Sequence, residues 1–110
     1  MKEVKRPWGG FKQFALNQEC TVKLLTLGPR QELSLQSHKK RAENWYFFDR
    51  AIVEIGRKKF HVKEGDFVHV GKNERHRIIS QKNKVRLIEI AFGKFDEKDE
   101  TRFEDKYGRR

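Results

Sequence analysis

Gln36, His38 and Glu43 stand in one short run, and His76 follows much later, just after a turn opened by Gly71. Imidazole nitrogen, carboxylate and amide oxygen together suit a divalent cation of hard to borderline character, so chemistry at a bound metal is the first function to expect. Gln36 and His38 are two apart in the alternating segment Leu33-Ser34-Leu35-Gln36-Ser37-His38, and on a strand both side chains leave the same face. His38 and Glu43 are separated by an odd offset, which one uninterrupted strand would send to opposite faces. Lys39-Lys40-Arg41 supplies the break, and Glu43-Asn44-Trp45-Tyr46-Phe47-Phe48 opens a new strand on the carboxylate. His76 stands at the start of the apolar run Arg77-Ile78-Ile79. Four such residues converge only if the strands curl towards one another, as in a small barrel. Spacing by itself equally allows four unrelated polar residues, with His38 solvated.

The elements that must position this set are strands. Turn signals recur about every ten residues between segments rich in β-branched and aromatic side chains, the pattern of an all-β sandwich or barrel. The expected strands are 10–16, 21–27, 33–38, 43–48, 51–55, 59–62, 67–70, 75–80 and 85–92. Gly56 between two of them predicts a tight hairpin with a positive φ. From Lys94 onward the chain changes character. Phe103 and Tyr107, four apart, could share one face of a short helix, but a tail this charged orders only by packing back onto the barrel and otherwise frays.

A chain of 110 residues predicts one domain, 1–110, with a single core. Hydrophobic content is only 35 %, so nine Phe and two Trp must supply much of the buried area. The single Cys20 excludes a disulfide within the chain and fits a reducing compartment, as a small buried apolar residue. No apolar stretch approaches transmembrane length, and the N-terminal segment Met1-Lys2-Glu3-Val4-Lys5-Arg6 runs into Pro7 rather than a signal core, so a cytoplasmic protein is expected. The apolar segment 20–27 offers an edge that a second copy could pair with, which predicts a homodimer. A net charge of +10 favours anionic partners, either nucleic acid or a phosphorylated metabolite. Basic clusters are short and the tail mixes signs, so no basic arm exists. Trp8, Tyr46 and Phe47 could stack on bases, but these aromatics are better accounted for as core, and nucleic acid ranks below a phosphorylated small molecule.

Arg6-Pro7-Trp8-Gly9, Leu33-Ser34-Leu35-Gln36-Ser37-His38, Arg41-Ala42-Glu43-Asn44-Trp45 and Arg102-Phe103-Glu104-Asp105-Lys106-Tyr107-Gly108-Arg109 occur in one order over essentially the whole chain. In that combination they resemble the cupin domain of type II mannose-6-phosphate isomerases. That domain commonly follows a nucleotidyltransferase that makes GDP-mannose, a half this chain lacks, so a stand-alone cupin is expected. The resemblance implies an all-β cupin, a double-stranded β-helix or jelly-roll barrel, with a short C-terminal tail. It places the first motif's metal ligands on Gln36, His38 and Glu43, and the second motif's Gly and His on Gly65 and His76. Gln in the first position is also a zinc ligand in the related type I phosphomannose isomerases. Zinc is therefore the expected ion, with manganese, iron or nickel also compatible with the ligand types.

The implied reaction interconverts mannose 6-phosphate and fructose 6-phosphate, moving a proton between C1 and C2. Arg41, between two ligands, is the expected electrophile or phosphate clamp, because guanidinium stays charged and grips phosphate in bidentate fashion. Arg6, Trp8 and Arg109 are the expected substrate contacts at the barrel mouth. His69, Glu89, Glu104 and Asp105 are unranked candidates for the base. The chain also departs from the family pattern: Lys39 and Lys40 stand where further His residues are usual, Asn44 where a His is, Asp49-Arg50 replaces a Gly-containing turn and Gly71 replaces a Pro. These departures bear on catalysis more than on metal binding, so a non-catalytic metal- and sugar-binding cupin is the alternative.

Overall fold

The computed structural model describes residues 1–108; the expected substrate contact Arg109 lies outside them. The described residues contain eleven strands and no helix. They are β1 (Lys2–Arg6), β2 (Gly9–Gln13), β3 (Cys20–Leu27), β4 (Leu35–Ser37), β5 (Ala42–Phe47), β6 (Ala51–Ile55), β7 (Lys58–Val62), β8 (Phe67–Val70), β9 (His76–Ile79), β10 (Val85–Phe92) and β11 (Thr101–Glu104). One sheet has the order β3-β10-β5-β8 and the facing sheet β11-β4-β9-β6-β7, while β1 and β2 form a hairpin of their own. Every pairing is antiparallel. Gly56 closes the β6–β7 hairpin at φ +60°, the left-handed conformation expected of it.

Register decides what faces the interior, since directly opposed residues of an antiparallel pair share a face. Lys23, Glu89, Trp45 and Val68 make one inward row, and Thr21, Ala91, Glu43 and Val70 make the next. In the facing sheet Arg102, Gln36, His76 and Ile55 form a row. Away from these polar rows the interior is apolar, with Phe47, Val53, Ile78, Val85 and Leu87 wholly buried. Removing Phe47 beyond Cβ would cost about 3–5 kcal/mol.

The tail departs from the helix that Phe103 and Tyr107 could have formed. It is a strand, β11, paired with β4 through Thr101↔Ser37, Arg102↔Gln36 and Glu104↔Leu35, with a bulge after Arg102. Arg75 lies over the Phe103 ring at 3.9 Å, Arg77 pairs with Glu104 at 3.1 Å, and Lys106 donates to the Arg30 carbonyl at 2.7 Å. Partners on the barrel thus outweigh the local i, i+4 pattern. Strand β2 ends at Gln13, short of the expected 16, because Phe14 leaves it to pack on Tyr46 and Phe67, with centroids 5.2 and 6.0 Å away.

Candidate metal centre

His38 leaves the end of β4, Glu43 stands on β5 and His76 opens β9, and one ligand-capable atom from each lies within 4.8 Å of the other two. All three side chains are buried, at 3, 2 and 1 % exposure. Hydrogen bonds settle which atoms face the cluster. His38 Nδ1 is 2.8 Å from the Asp99 carbonyl, and His76 Nδ1 is 2.8 Å from the Glu74 carbonyl. A carbonyl only accepts, so each Nδ1 carries the proton and each Nε2 presents a lone pair. Glu43 is held at both oxygens. Oε1 accepts from the Trp45 indole N–H at 3.1 Å, and Oε2 accepts from Arg41 Nε at 3.1 Å while lying 3.5 Å from His38 Nε2.

His76 Nε2 is buried and has no hydrogen-bond partner. A buried lone pair without a donor is costly unless something else takes it. Burial is also the main cause that lowers the pKa of His76 below that of free imidazole, which keeps it in the neutral form a metal needs. Orphaned nitrogen, second imidazole and carboxylate together fit a divalent cation. Gln36 is opposite His76 in register. Its amide nitrogen donates to the Glu100 carboxylate, 3.2 Å from Oε2, which leaves the amide oxygen as its ligand-capable atom.

Arg41 is buried among the ligands rather than at an open mouth. Besides Glu43, its Nη2 donates to His38 Nε2 at 3.3 Å and its Nη1 to the Asp96 carbonyl at 3.1 Å. Its guanidinium also stacks over Phe95 at 4.3 Å, and Lys23 Nζ lies over the same ring at 4.0 Å. Asp99 fastens the covering segment: its carboxylate accepts from the backbone N–H groups of Lys39 and Lys40 at 3.0 and 2.9 Å. Burial opposes ionisation of Asp99, but these two donors, then the charge of Arg41, hold its carboxyl below the usual range. Glu89 goes the other way. Burial, then the charge of Glu43, push it up to about 7 against the opposing pull of Lys23 and Arg41.

The remaining expected site residues are placed elsewhere. Arg6 and Trp8 sit on or beside the β1–β2 turn, with Trp8 73 % exposed and therefore not core. His69 faces outward, where Nδ1 meets the Asn44 amide oxygen at 2.6 Å. Glu104 is exposed on β11 and paired with Arg77, and Asp105 follows it on the tail. Of the four base candidates, Glu89 is on an inward row beside Trp45, whereas His69 is not. Trp45 is core and also orients Glu43. Lys23, Phe95, Asp99 and Glu100 were not legible as site residues. A cleft of about 950 Å³ lined by Arg30, Arg50, His61 and Lys63 among others contains none of the cluster.

With this centre described, comparison with known proteins gives a match of residues 1–105 to the family model "Mannose-6-phosphate isomerase C-terminal". The chain belongs to that family. It is 35 % identical over 111 residues to the xanthan biosynthesis protein XanB of Xanthomonas campestris and 34 % identical over 118 residues to a mannose-1-phosphate guanylyltransferase of Escherichia coli, with 98 % of this chain covered in both. It spans only about a quarter of the length of these relatives, 24 and 23 %. Among solved structures, a cupin-2 domain from Rhodospirillum rubrum superposes with a TM-score of 0.66 at 18 % identity, covering 81 % of this chain and 64 % of that one. CapF, a capsular polysaccharide assembling protein of Staphylococcus aureus, gives 0.72 at 14 % identity over 94 % of this chain and 34 % of its own. These likenesses establish the cupin fold expected from the sequence. No helix among the described residues is long and apolar enough to cross a membrane.

Proposed function

We propose that the protein is a metal-dependent isomerase that interconverts mannose 6-phosphate and fructose 6-phosphate. The observation that carries this reading is the unpartnered, buried Nε2 of His76 within reach of His38 and Glu43, in a chain of this family. His38, Glu43 and His76, with Gln36 beside them, would hold the ion, and zinc is the first choice by family. A divalent ion bound there would polarise the sugar's carbonyl group. Every other requirement falls on the chain itself. A group that exchanges protons near neutral pH is needed between C1 and C2, and Glu89, raised to about 7, matches that need. Arg41 and Lys23 supply positive charge for a phosphoryl group and for the developing oxyanion.

A second reading, a metal- and sugar-binding cupin without turnover, is favoured by one observation. The ligands are almost wholly covered, and Arg41 is committed to Glu43, His38 and Asp96. A coupled assay on metal-loaded protein with mannose 6-phosphate separates the two, together with calorimetry of mannose 6-phosphate against mannose. Turnover with preferred binding of the phosphorylated sugar is expected. Preferred binding without turnover supports the second reading, and equal affinity for both sugars with no turnover removes the first.

A further inference from the structure

Residues 94–98 pass over Arg41, beside the candidate ligands, between two fixed points. On one side Gly93, at φ +92°, donates its N–H to the Glu19 carbonyl at 2.9 Å. On the other, Asp99 is tied by its carbonyl to His38 and by its carboxylate to Lys39 and Lys40. Among the described residues, the one hydrogen bond between 94–98 and the barrel comes from Arg41 Nη1 to the Asp96 carbonyl, and the Phe95 ring rests on the same guanidinium. Arg41 therefore holds the middle of this strap down.

The other two arms of Arg41 use the atoms that a metal would need. His38 Nδ1 is protonated, so Nε2 has a single lone pair, and in this structure Arg41 Nη2 occupies it at 3.3 Å. Nε occupies Glu43 Oε2 at 3.1 Å. One imidazole lone pair cannot accept a hydrogen bond and coordinate an ion at the same time. We propose that Arg41 is a latch that a divalent cation releases: metal and guanidinium compete for His38 Nε2 and Glu43 Oε2, and displacement of Arg41 frees the Phe95–Asp96 part of the strap. Asp99 keeps its three bonds, so His38 stays oriented while the cover opens. Opening then hinges at Gly93, whose left-handed φ is one glycine adopts without strain. The inference deepens the isomerase reading by naming the group that controls access to its centre, and it rests on that reading only for the presence of a metal.

The test uses zinc alone, followed by nuclear magnetic resonance on the full chain. In chelator, the Arg41 Nε–H, which donates to Glu43, and the Asp99 amide, which donates to the Asp96 carbonyl at 3.0 Å, should exchange slowly with water. One equivalent of zinc is expected to abolish protection of both while the Lys39 and Lys40 amides keep theirs. Arg41→Met should bind zinc about tenfold more tightly or better, because charge-assisted hydrogen bonds no longer have to be broken. That variant leaves Glu43 buried without its cation, so Phe95→Ala provides a second route: it should lose Asp99 protection without zinc. Zinc binding that leaves Arg41 Nε–H and the Asp99 amide protected would overturn the latch and leave the metal reading standing. No zinc binding by calorimetry would overturn the metal reading, and the latch with it.

Discussion

Trp45→Phe separates packing from positioning at the metal centre. The Trp45 indole is 1 % exposed, meets the Phe47 ring edge-on at 6.2 Å and the His76 ring at 5.5 Å, and donates its N–H to Glu43 Oε1 at 3.1 Å. Phenylalanine keeps a ring in that space but deletes the donor. Loss of a hydrogen bond to a buried carboxylate costs about 1.5–3 kcal/mol. The smaller ring leaves a cavity worth about 1–2 kcal/mol more, by the usual scaling of lost volume. Urea unfolding in chelator should therefore show a loss of about 2.5–5 kcal/mol. Zinc affinity is the discriminating readout. If Trp45 fixes the carboxylate so that Oε2 faces the cluster, affinity should fall about 10–100-fold, as it does when the partners of metal ligands are removed. Phe47→Leu, a wholly buried neighbour without a polar atom, is the control that loses stability and keeps affinity. A Trp45→Phe protein that is destabilised yet binds zinc as tightly as wild type would refute the reasoning and leave Trp45 as core alone.

Three further outcomes are expected. The double variant His38→Ala, His76→Ala should hold no stoichiometric metal by elemental analysis, and folded variant protein with wild-type content would show the ligand assignment to be wrong. Asp49 accepts from the Arg86 backbone and side chain at 2.9 and 3.1 Å, and the Arg86 hydrogen bond is the main cause that lowers its pKa. Its contribution is therefore complete above the ordinary carboxylate pKa of about 4 and vanishes as pH falls through the lower folded value, so the stability gap between wild type and Asp49→Asn should narrow from pH 7 to pH 3. A gap that stays constant would contradict this. Val22 and Leu24 are 58 and 62 % exposed on β3, a strand paired on one side only, so light scattering should return twice the 13.2 kDa chain mass and Leu24→Glu should halve it. A monomeric wild type at micromolar concentration would dispose of the dimer.

Strands were legible where burial on one face imposed alternation. In β5 the inward Glu43, Trp45 and Phe47 alternate with the less buried Ala42, Asn44 and Tyr46, and the expected 43–48 differs from Ala42–Phe47 by one residue at each end. Strand β1, Lys2-Glu3-Val4-Lys5-Arg6, carries no such signal, because its hairpin leaves four of the five side chains exposed. Strand β11 was hidden for a different reason. Its order comes from pairing with β4 and from Arg75 and Arg77, partners distant in sequence, so nothing local distinguished it from a helix. The same alternation fixes His69: Val68 and Val70 are the inward residues, which obliges His69 between them to face out.

At the centre, residue type and spacing allowed converging ligands as readily as four unrelated polar residues, and it was the family-like segments around them that favoured a shared site. The strap was invisible because its decisive contacts are carbonyls of Asp96 and Asp99, groups that every residue carries. The same fact revises the weight of the departures from the family pattern. Lys39 and Lys40 enter the centre only through backbone N–H groups donated to Asp99, and their side chains are exposed. Asn44 is on the outward row with His69. A His at any of these positions would not add to the inward ligand set in this arrangement, so the three substitutions supply no argument against turnover. What bears on it is the cover over the ligands, and that is a question about Arg41 and Phe95 rather than about missing histidines.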